Sequence, residues 1–499
     1  MNEATKSLLR TQSALDISPH ELNEISEQAT KLVFEYFETV SQRDVVAKNY
    51  AGKTVAEVNA ELSVEPVPLE RLLDECRTIF DLSRHNGHPR FFGYVASPST
   101  PIGAYADLIA SALNANITCW RSGPAGTEIE KLVVAWLGEL IGYDKQARGL
   151  LTSGGSMANL IALLVASRRK TGPDTARKGL WNSRPTTVYA SAEVHMSIAK
   201  AADILGFGRD QVRTVACDGN LRMNVSALRE RIESDINEGF RPFCVVASAG
   251  TTNTGAVDPL DKIADIVREF DLWFHIDGAY GAPGILDPGK THLFDGLKRA
   301  DSVSLDPHKW LYAPLEAGCT LVKNPQHLVD TYSAHPVYYN FDNSADEPTL
   351  NYYEYGFQNS RGFRALKVWM ALQQAGRNGY IEMIGEDIAL SQLLFQEAKK
   401  HSELEAVTQN LSITTLRYVP AGFSEHETKH ETYLNTLNEK LLNELQQGGE
   451  VFLSNAVVAN KYCLRCCIVN FRTSRKDIFE VVDIIVREGR KIHQALQRK

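Results

Sequence analysis

The sequence lacks the features that mark proteins of membranes, of the secretory route and of nucleic acids. No apolar run approaches the roughly 18 residues of a membrane-spanning helix. The first residues, MNEATKSLLRTQSALDISPHEL, lack the basic and then apolar layout of a signal peptide. The formal net charge of −8 provides no basic field. We therefore expect neither a nucleic-acid partner nor a membrane partner.

Cysteines are few and show no disulfide pattern. The eight of them are scattered along the chain, which is typical of a reduced, cytosolic enzyme rather than of a secreted scaffold. Internal repeats and low-complexity segments are also missing. What remains is a chain of 499 residues, 43% of them apolar, which is long enough for one large domain with smaller ones around it.

The pattern of residues 1–100 predicts a helical segment. Ser18-Pro19-His20-Glu21 is a capping box with proline at the first helical position. Because the stripe that follows is apolar, it needs a partner surface, either in this chain or in a second copy. The stripe has helical spacing and consists of Ile25, Ala29, Leu32, Val33, Tyr36, Phe37 and Val40.

Residues 101–385 show short apolar runs that alternate with helical stretches. This alternation predicts an open α/β sheet, mostly parallel and buried. In such sheets ligands bind beyond the carboxyl ends of the strands. A smaller α+β domain is predicted for residues 386–499. The predicted strands lie at 186–191, 242–250, 272–281, 301–306, 318–323 and, in the smaller domain, 461–471, and a last helix is predicted over 475–496.

Four motifs place chemically useful residues at strand ends. The turn TSGGS at 152–156 leads into a helix, so its N–H groups and the helix dipole favour an anion, although a plain turn is the alternative. Asp277 ends an apolar strand and requires a cationic or donor partner, and an internal ion pair is the alternative. His195 and Lys309 also follow strands. Taken singly, they would be a core histidine and a lysine that reaches out to solvent.

Together these motifs resemble the fold-type I pyridoxal-phosphate enzymes. In their order, TSGGSMANL (152–160), HIDGAYG (275–281) and DPHKW (306–310) are similar to the group II amino-acid decarboxylases, which include the aromatic, glutamate and cysteine-sulfinate decarboxylases. The resemblance implies a mostly parallel seven-stranded sheet, pyridoxal 5'-phosphate as cofactor, and decarboxylation of an L-amino acid to an amine and CO₂. Further similar segments lie at 87–94, 123–130, 249–260 and 362–369.

The resemblance also implies roles for single residues. Lys309 would be the Schiff-base lysine, and we expect desolvation to help it lose its proton. Asp277 would pair with the protonated pyridine nitrogen and keep the ring an electron sink, and His195 would stack on the ring. A phosphate contact is not carried over to Asp306, because relatives often have asparagine there. The remaining cofactor contacts are expected from Gly155, Ser156, Thr252, Ala279 and His308.

Two positions separate decarboxylation from other pyridoxal chemistry. In the family an arginine at the place of Arg465 binds the substrate α-carboxylate, for which guanidinium is a natural bidentate partner. Nearby Cys463 and Cys466 raise the alternative of a metal or redox site, but strand alternation points them to opposite faces, which favours buried free thiols. Tyr338, or Tyr339 one residue later, matches the loop tyrosine that protonates the carbanion left by CO₂ loss.

Substrate choice depends on the pocket residues. Tyr94 matches an aromatic pocket position of the aromatic decarboxylases, whereas Asn116 and Thr118 make the wall smaller and more polar. We rank aromatic L-amino acids first and acidic or other polar amino acids second. In the family the loop of Tyr338 reaches the other subunit's site, which implies a homodimer.

Three other functions stay open at this point. An aminotransferase would use the same Lys309 and Asp277. An aldehyde synthase of the same family typically carries phenylalanine at the loop tyrosine. A protein that binds the cofactor but is inactive is the third, and the intact Lys309, Asp277, His195 and Arg465 argue against it.

Overall fold

Two β-sheets and the helices around them build the described part of the chain. The computed structural model describes residues 15–47, 62–172, 174–180, 184–334, 350–423 and 428–498. Its α-helices are α1 (Pro19–Thr39), α2 (Leu69–Leu82), α3 (Pro101–Leu113), α4 (Pro124–Leu140), α5 (Gly155–Thr171), α6 (Asp174–Lys178), α7 (Ser197–Ile204), α8 (Val225–Asn237), α9 (Leu260–Glu269), α10 (Gln326–Tyr332), α11 (Ala365–Lys400), α12 (Thr428–Gln447) and α13 (Arg475–Gln497).

A seven-stranded sheet forms the centre of the larger core. Its strands are β1 (Arg148–Thr152), β2 (Thr186–Ser191), β3 (Val212–Val215), β4 (Arg241–Ser248), β5 (Trp273–Asp277), β6 (Ser302–Leu305) and β7 (Gly318–Val322), in the spatial order β1-β7-β6-β5-β4-β2-β3. Strand β7 runs antiparallel to β1 and β6, and the other described pairs are parallel. Every residue of β2, β5, β6 and β7 is buried, as expected for strands covered on both faces. The predicted α/β fold with a mostly parallel sheet is confirmed.

The carboxyl ends of four strands bring the motifs to one edge of this sheet. Strand β1 leads into the TSGGS turn, and β2 ends four residues before His195. Strand β5 ends at Asp277, and β6 ends just before Asp306. Because these strands point the same way, their ends meet at one edge, where a ligand site is expected.

The smaller sheet carries the second core. It consists of the antiparallel strands β8 (Leu404–Asn410), β9 (Ile413–Tyr418), β10 (Ser454–Val458) and β11 (Lys461–Cys467), in the order β10-β11-β9-β8. Helices α12 and α13 pack on it and contribute Leu441 and Ile478 to its apolar cluster. The predicted strand at 461–471 and the predicted last helix correspond to β11 and α13.

Helix α11 connects the two cores. It has 36 residues and a kink at Gly376, where φ is 62° and ψ is 171°. Its side chains up to Ile388 join the larger core, and those from Leu390 onward join the smaller one. The boundary that we predicted between residues 385 and 386 therefore falls inside a helix, close to the point where the helix passes from one core to the other.

The N-terminal helix α1 begins as predicted and leaves its apolar stripe only half buried. The Ser18 hydroxyl accepts the Glu21 N–H at 3.2 Å, and the Glu21 carboxylate accepts the Ser18 N–H at 2.8 Å. No residue of α1 is fully buried, although Val40 just beyond it is. Within the described residues, no helix is long and apolar enough to cross a bilayer.

Candidate active site

The turn between β1 and α5 forms an anion cradle. Gly154 adopts φ 147°, which a residue with a side chain rarely adopts. A Cβ on Gly155 would lie 2.8 Å from Asp306 Oδ2 and 2.9 Å from the Ala279 Cβ, so this position requires glycine. Among the described residues no side chain caps the start of α5. The first N–H groups of the helix therefore point at the cavity with the positive end of the helix dipole.

Asp277 is a buried carboxylate that has only neutral hydrogen-bond donors. Its Oδ2 accepts the Asn159 Nδ2–H at 2.9 Å. Its Oδ1 accepts the Ser304 hydroxyl and the Ala279 N–H, each at 3.2 Å. Only 8% of the residue is exposed, and within the described residues no cationic group forms an ion pair with it. A carboxylate in this setting fits a cationic ligand group.

Lys309 forms an ion pair with one carboxylate and is acted on by the charge of a second. Its Nζ is 2.9 Å from Oδ2 of Asp306, which is almost completely buried. Burial lowers the pKa of Lys309, but the charges of Asp306 and Asp277 outweigh burial and raise the pKa above its usual value. Desolvation therefore acts on the pKa of this amine in the expected direction, but the two carboxylates outweigh it and the net pKa is raised. The strand end that buries the lysine also supplies the carboxylate that holds its proton.

Two histidines border the same space. Burial lowers the pKa of His195, and its Nδ1 lies 2.9 Å from the Ser197 hydroxyl. Burial also lowers the pKa of His308, whose Nδ1 lies 2.8 Å from the Ala317 carbonyl oxygen. Both rings are therefore neutral at neutral pH, and a neutral ring can stack on an aromatic cofactor without a charge to desolvate.

One cavity of about 270 Å³ brings these groups together. Eight predicted cofactor-site residues line it: Gly155, Ser156, His195, Thr252, Asp277, Ala279, His308 and Lys309. The cradle suits a phosphate, Asp277 suits a protonated pyridine nitrogen, and Lys309 suits an aldehyde carbon. The lining thus fits pyridoxal phosphate on the chemistry of its own groups.

Arg465 lies on β11, near this cavity but outside its lining. Only 3% of the residue is exposed, and its Nε and Nη2 have no hydrogen-bond partner among the described residues. Its charge acts on Tyr280, which does line the cavity. A buried guanidinium without an anion is costly, so this arginine is suited to a carboxylate that arrives with a ligand.

Tyr94 and Thr118 do not line the cavity. Tyr94 is 51% exposed, and its hydroxyl oxygen lies 3.3 Å from Arg84 Nη1. Thr118 is buried and donates to Asn359 Oδ1 at 3.0 Å. Tyr338 and Tyr339 lie outside the described residues. Their predicted roles stay predictions.

The three cysteines of β11 are free and buried. Burial raises the pKa of the Cys463 and Cys466 thiols to about 12 and that of Cys467 to about 11, so all three stay protonated at neutral pH. This agrees with the expectation of buried free thiols.

Two functional positions were not singled out from the sequence. Asn159, inside TSGGSMANL, donates to Asp277 across 118 residues of sequence. Asp387 on α11 accepts from Trp310 Nε1 at 2.9 Å and from the Tyr312 hydroxyl at 2.7 Å, and thus holds the segment that follows Lys309. The spacing of apolar residues along α11 predicts a buried face. The sequence does not indicate which residues would donate hydrogen bonds to an aspartate on that face.

Comparison with known proteins agrees with this site. The family model described as "Pyridoxal-dependent decarboxylase conserved domain" matches residues 52–418. An aromatic-L-amino-acid decarboxylase of Bacillus atrophaeus is 34% identical over 472 residues, which cover 94% of this chain and 95% of the relative. A phenylacetaldehyde synthase of a Rosa hybrid cultivar is 26% identical over 479 residues, 94% of each chain.

A solved structure extends the agreement to the fold. The crystal structure of mouse CSAD superposes with a TM-score of 0.89 at 27% identity, and the match covers 95% of this chain and 99% of the mouse chain. The family match, the Bacillus atrophaeus relative and the cavity lining agree on the cofactor and on the reaction class. This chain belongs to the pyridoxal-dependent decarboxylases and is an amino-acid decarboxylase with pyridoxal phosphate as its cofactor.

Proposed function

We propose that this enzyme converts an aromatic L-amino acid to the corresponding amine and CO₂. The observation that carries the aromatic assignment is the 34% identity to an aromatic-L-amino-acid decarboxylase along 94% of the chain. The aromatic rings of Tyr36 and Phe37 add support, because they line a second cavity of about 340 Å³ that shares His308 and Leu315 with the first. Aromatic rings pack favourably against an aromatic side chain.

The residues of the first cavity would divide the work on the cofactor. Pyridoxal phosphate, when bound, supplies the electron sink that accepts the electrons of the breaking bond to the carboxylate. The N–H groups of Gly155 and Ser156 hold the phosphate, with Thr252, Ala279 and His308 around the cofactor. Lys309 would hold the cofactor through its amine, and Asp306, 2.9 Å from that amine, would hold or accept its proton.

Asp277 and His195 would control the ring. The Asp277 carboxylate stabilises a proton on the ring nitrogen, which keeps the ring electron-poor. The imidazole of His195, which lines the cavity, would stack on the ring and exclude water from that face. Both side chains are already fixed in position before the reaction, so they need not reorganise when charge develops on the ring.

Arg465 would bind the substrate carboxylate, and Tyr338 would return the proton. The buried guanidinium supports the first role, because Nε and Nη2 form the edge that a carboxylate binds in a bidentate manner. Tyr338, or Tyr339, would donate a proton to the substrate carbon after CO₂ has left. This role carries over from the family resemblance alone.

An acidic amino acid is the second candidate substrate. Arg472 also lines the second cavity, and within the described residues it forms no ion pair with a carboxylate. Burial lowers its pKa, as expected for a guanidinium that lacks an anion. Tyr94 and Thr118 are proposed to bind the substrate, a role that carries over from the family resemblance alone.

We further propose a cytosolic homodimer. Support comes from free cysteines and from large apolar side chains that are exposed on the first three helices. Exposed apolar residues of this kind mark an association surface. They are Leu22 and Phe34 on α1, Leu72 and Ile79 on α2, and Leu108, Ile109 and Leu113 on α3.

A substrate panel tests the proposal. The purified holoenzyme is offered each of the twenty amino acids and close analogues, and CO₂, amine and aldehyde are measured. We expect the highest kcat/KM for an aromatic L-amino acid. A preference for glutamate or aspartate would establish the second candidate instead. An aminotransferase would release no CO₂ and would require a keto-acid acceptor.

A further inference from the structure

A row of buried polar side chains lies behind Asp277, inside the larger core. Strands β5 and β6 are paired so that His275 faces Ser302 and Asp277 faces Ser304. Trp273 shares the face of His275 and Asp277, because side chains alternate along a strand. His275 and Ser302 have no exposed surface, and Trp273 is 2% exposed. Buried polar groups in an otherwise apolar sheet are costly unless each has its partner.

The hydrogen bonds of this row all run toward Asp277. Because the Asp277 carboxylate only accepts, Asn159 must turn its amide N–H to Oδ2, at 2.9 Å. The Asn159 carbonyl oxygen therefore faces His275 Nε2, also at 2.9 Å, and accepts a proton from it.

The protons on the rest of the row follow from this orientation. Burial lowers the pKa of His275 to about 4, so the ring is neutral and its Nδ1 carries no proton. The Ser302 hydroxyl, 2.9 Å away, then donates to Nδ1 and accepts from Trp273 Nε1 at 2.8 Å. The order of donation is Trp273 to Ser302 to His275 to Asn159 to Asp277. Aligned donors of this kind polarise one another and strengthen the last bond.

Asn159 also joins this row to His195. Its second amide N–H lies 3.0 Å from the Ser197 hydroxyl oxygen, and that hydroxyl lies 2.9 Å from His195 Nδ1. The Ser197 N–H also points to Nδ1, at 3.3 Å, so this nitrogen is an acceptor. One amide thus fixes both the carboxylate and the imidazole that line the cofactor cavity.

We propose that Asn159, with His275 and Ser302 behind it, is a positioning residue that keeps the cofactor's ring nitrogen protonated. The inference rests on the pairing of Asp277 with that nitrogen, as proposed above, and not on the identity of the substrate. With its donors in place, Asp277 is stable as an anion beside a pyridinium. When they are removed, the buried anion loses stabilisation and the proton moves from the ring to the carboxylate.

The test uses the substrate-free holoenzyme reconstituted with pyridoxal phosphate that carries ¹⁵N in the ring. In Asn159→Ala the ¹⁵N resonance should move toward the position of an unprotonated pyridine. Ser302→Ala leaves Asn159 and Asp277 intact. It should move the ¹⁵N resonance in the same direction, but by a smaller amount. We also expect release of the cofactor to become about tenfold faster in Asn159→Ala, as for a lost hydrogen bond to a charged group.

Tyr189→Phe is the matched control. It removes a buried hydrogen bond of 2.7 Å between Tyr189 and Asp235, on the same sheet but outside the row. It should lower thermal stability and leave the resonance unchanged. If both test variants lower stability as the control does and leave the resonance at the wild-type position, the row serves only the sheet and the inference is wrong. Should Asn159→Ala fail to fold, Ser302→Ala decides alone.

A further variant separates this inference from the proposed function. Asp277→Asn should shift the ring-nitrogen resonance more than any change in the row. If Asp277→Asn shifts the resonance while Asn159→Ala and Ser302→Ala do not, only the positioning role is lost. If Asp277→Asn itself has no effect, the proposed role of Asp277 fails and the inference fails with it.

Discussion

At the scale of single residues, Asp277 carries the electrostatics of the proposed site. Asp277→Asn keeps the size of the side chain but removes its negative charge, so the ring nitrogen loses its counter-ion. We expect the fold to persist and kcat to fall about a hundredfold, equivalent to about 3 kcal/mol at the barrier. Turnover with saturating cofactor is the measurement, and circular dichroism is the control for folding. Wild-type turnover in this variant would contradict the role.

The burial of Asp387 leads us to predict how the stability of the fold depends on pH, independently of catalysis. Burial raises its pKa to about 7, even though Tyr312 and Trp310 donate to it. In the unfolded chain an aspartate has a pKa of about 4. Between about pH 4 and pH 7 the folded state therefore holds a proton that the unfolded state has lost. Because of this, the free energy of unfolding falls as pH rises through this window. In Asp387→Asn the fall in the free energy of unfolding over this pH window should be smaller by about 1–3 kcal/mol.

Unfolding midpoints across this pH range provide the comparison for Asp387. Asp258, whose pKa burial raises to about 6, contributes a decline of the same sign in both proteins and cancels in the difference. Parallel curves for wild type and Asp387→Asn would show that Asp387 does not titrate as stated.

At the scale of elements, the next prediction concerns Tyr338, whose segment corresponds to a loop in the family that this chain resembles. Tyr338→Phe removes the proposed acid but keeps the ring, so substrate KM should change little while amine formation falls by about 10²–10⁴-fold, and some product leaves as aldehyde. Tyr339→Phe is the matched control. A loss in Tyr339→Phe alone would move the assignment by one residue, and normal rates in both variants would remove the loop acid from the account.

Strands with continuous apolar runs could be predicted from the sequence, and half-exposed strands could not. β2, β5, β6 and β7 are buried throughout, and each carries apolar residues that indicated a strand, although β5 and β6 also bury polar residues such as His275 and Ser302. The C-terminal strand β10 alternates between buried and exposed residues within five positions, which is too short a pattern to separate from a loop. β3, with its exposed threonine, was missed for the same reason.

Site residues at strand ends were predictable, and their supporting contacts were not. Asp277, His195 and Lys309 each follow a recognisable strand and belong to motifs of fixed order. Asn159 and Asp387 act through partners 118 and 75–77 residues away, and no local pattern records such distances. The net rise in the pKa of Lys309 was not predicted for the same reason, because the balance between burial and two carboxylates depends on geometry.

At the scale of the whole molecule, we expect a homodimer that is required for activity. Phe34 on α1 is 58% exposed, so Phe34→Glu should leave the fold of one chain intact but place a charge in the interface. Light scattering should show a monomer with little turnover. Ile236→Glu on α8, where the isoleucine is 46% exposed, is the matched control and should stay dimeric. A wild-type protein that is monomeric and fully active would contradict the expectation that activity requires a homodimer.

The central claim is that this chain releases CO₂ from an aromatic L-amino acid and returns a proton to the same carbon. The most direct measurement follows CO₂, amine, aldehyde and oxygen together during turnover of the best aromatic substrate. We expect one molecule of amine to form for each molecule of CO₂ released, and no oxygen to be consumed. Aldehyde formed in step with oxygen consumption, as the similarity to a phenylacetaldehyde synthase makes worth testing, would contradict it.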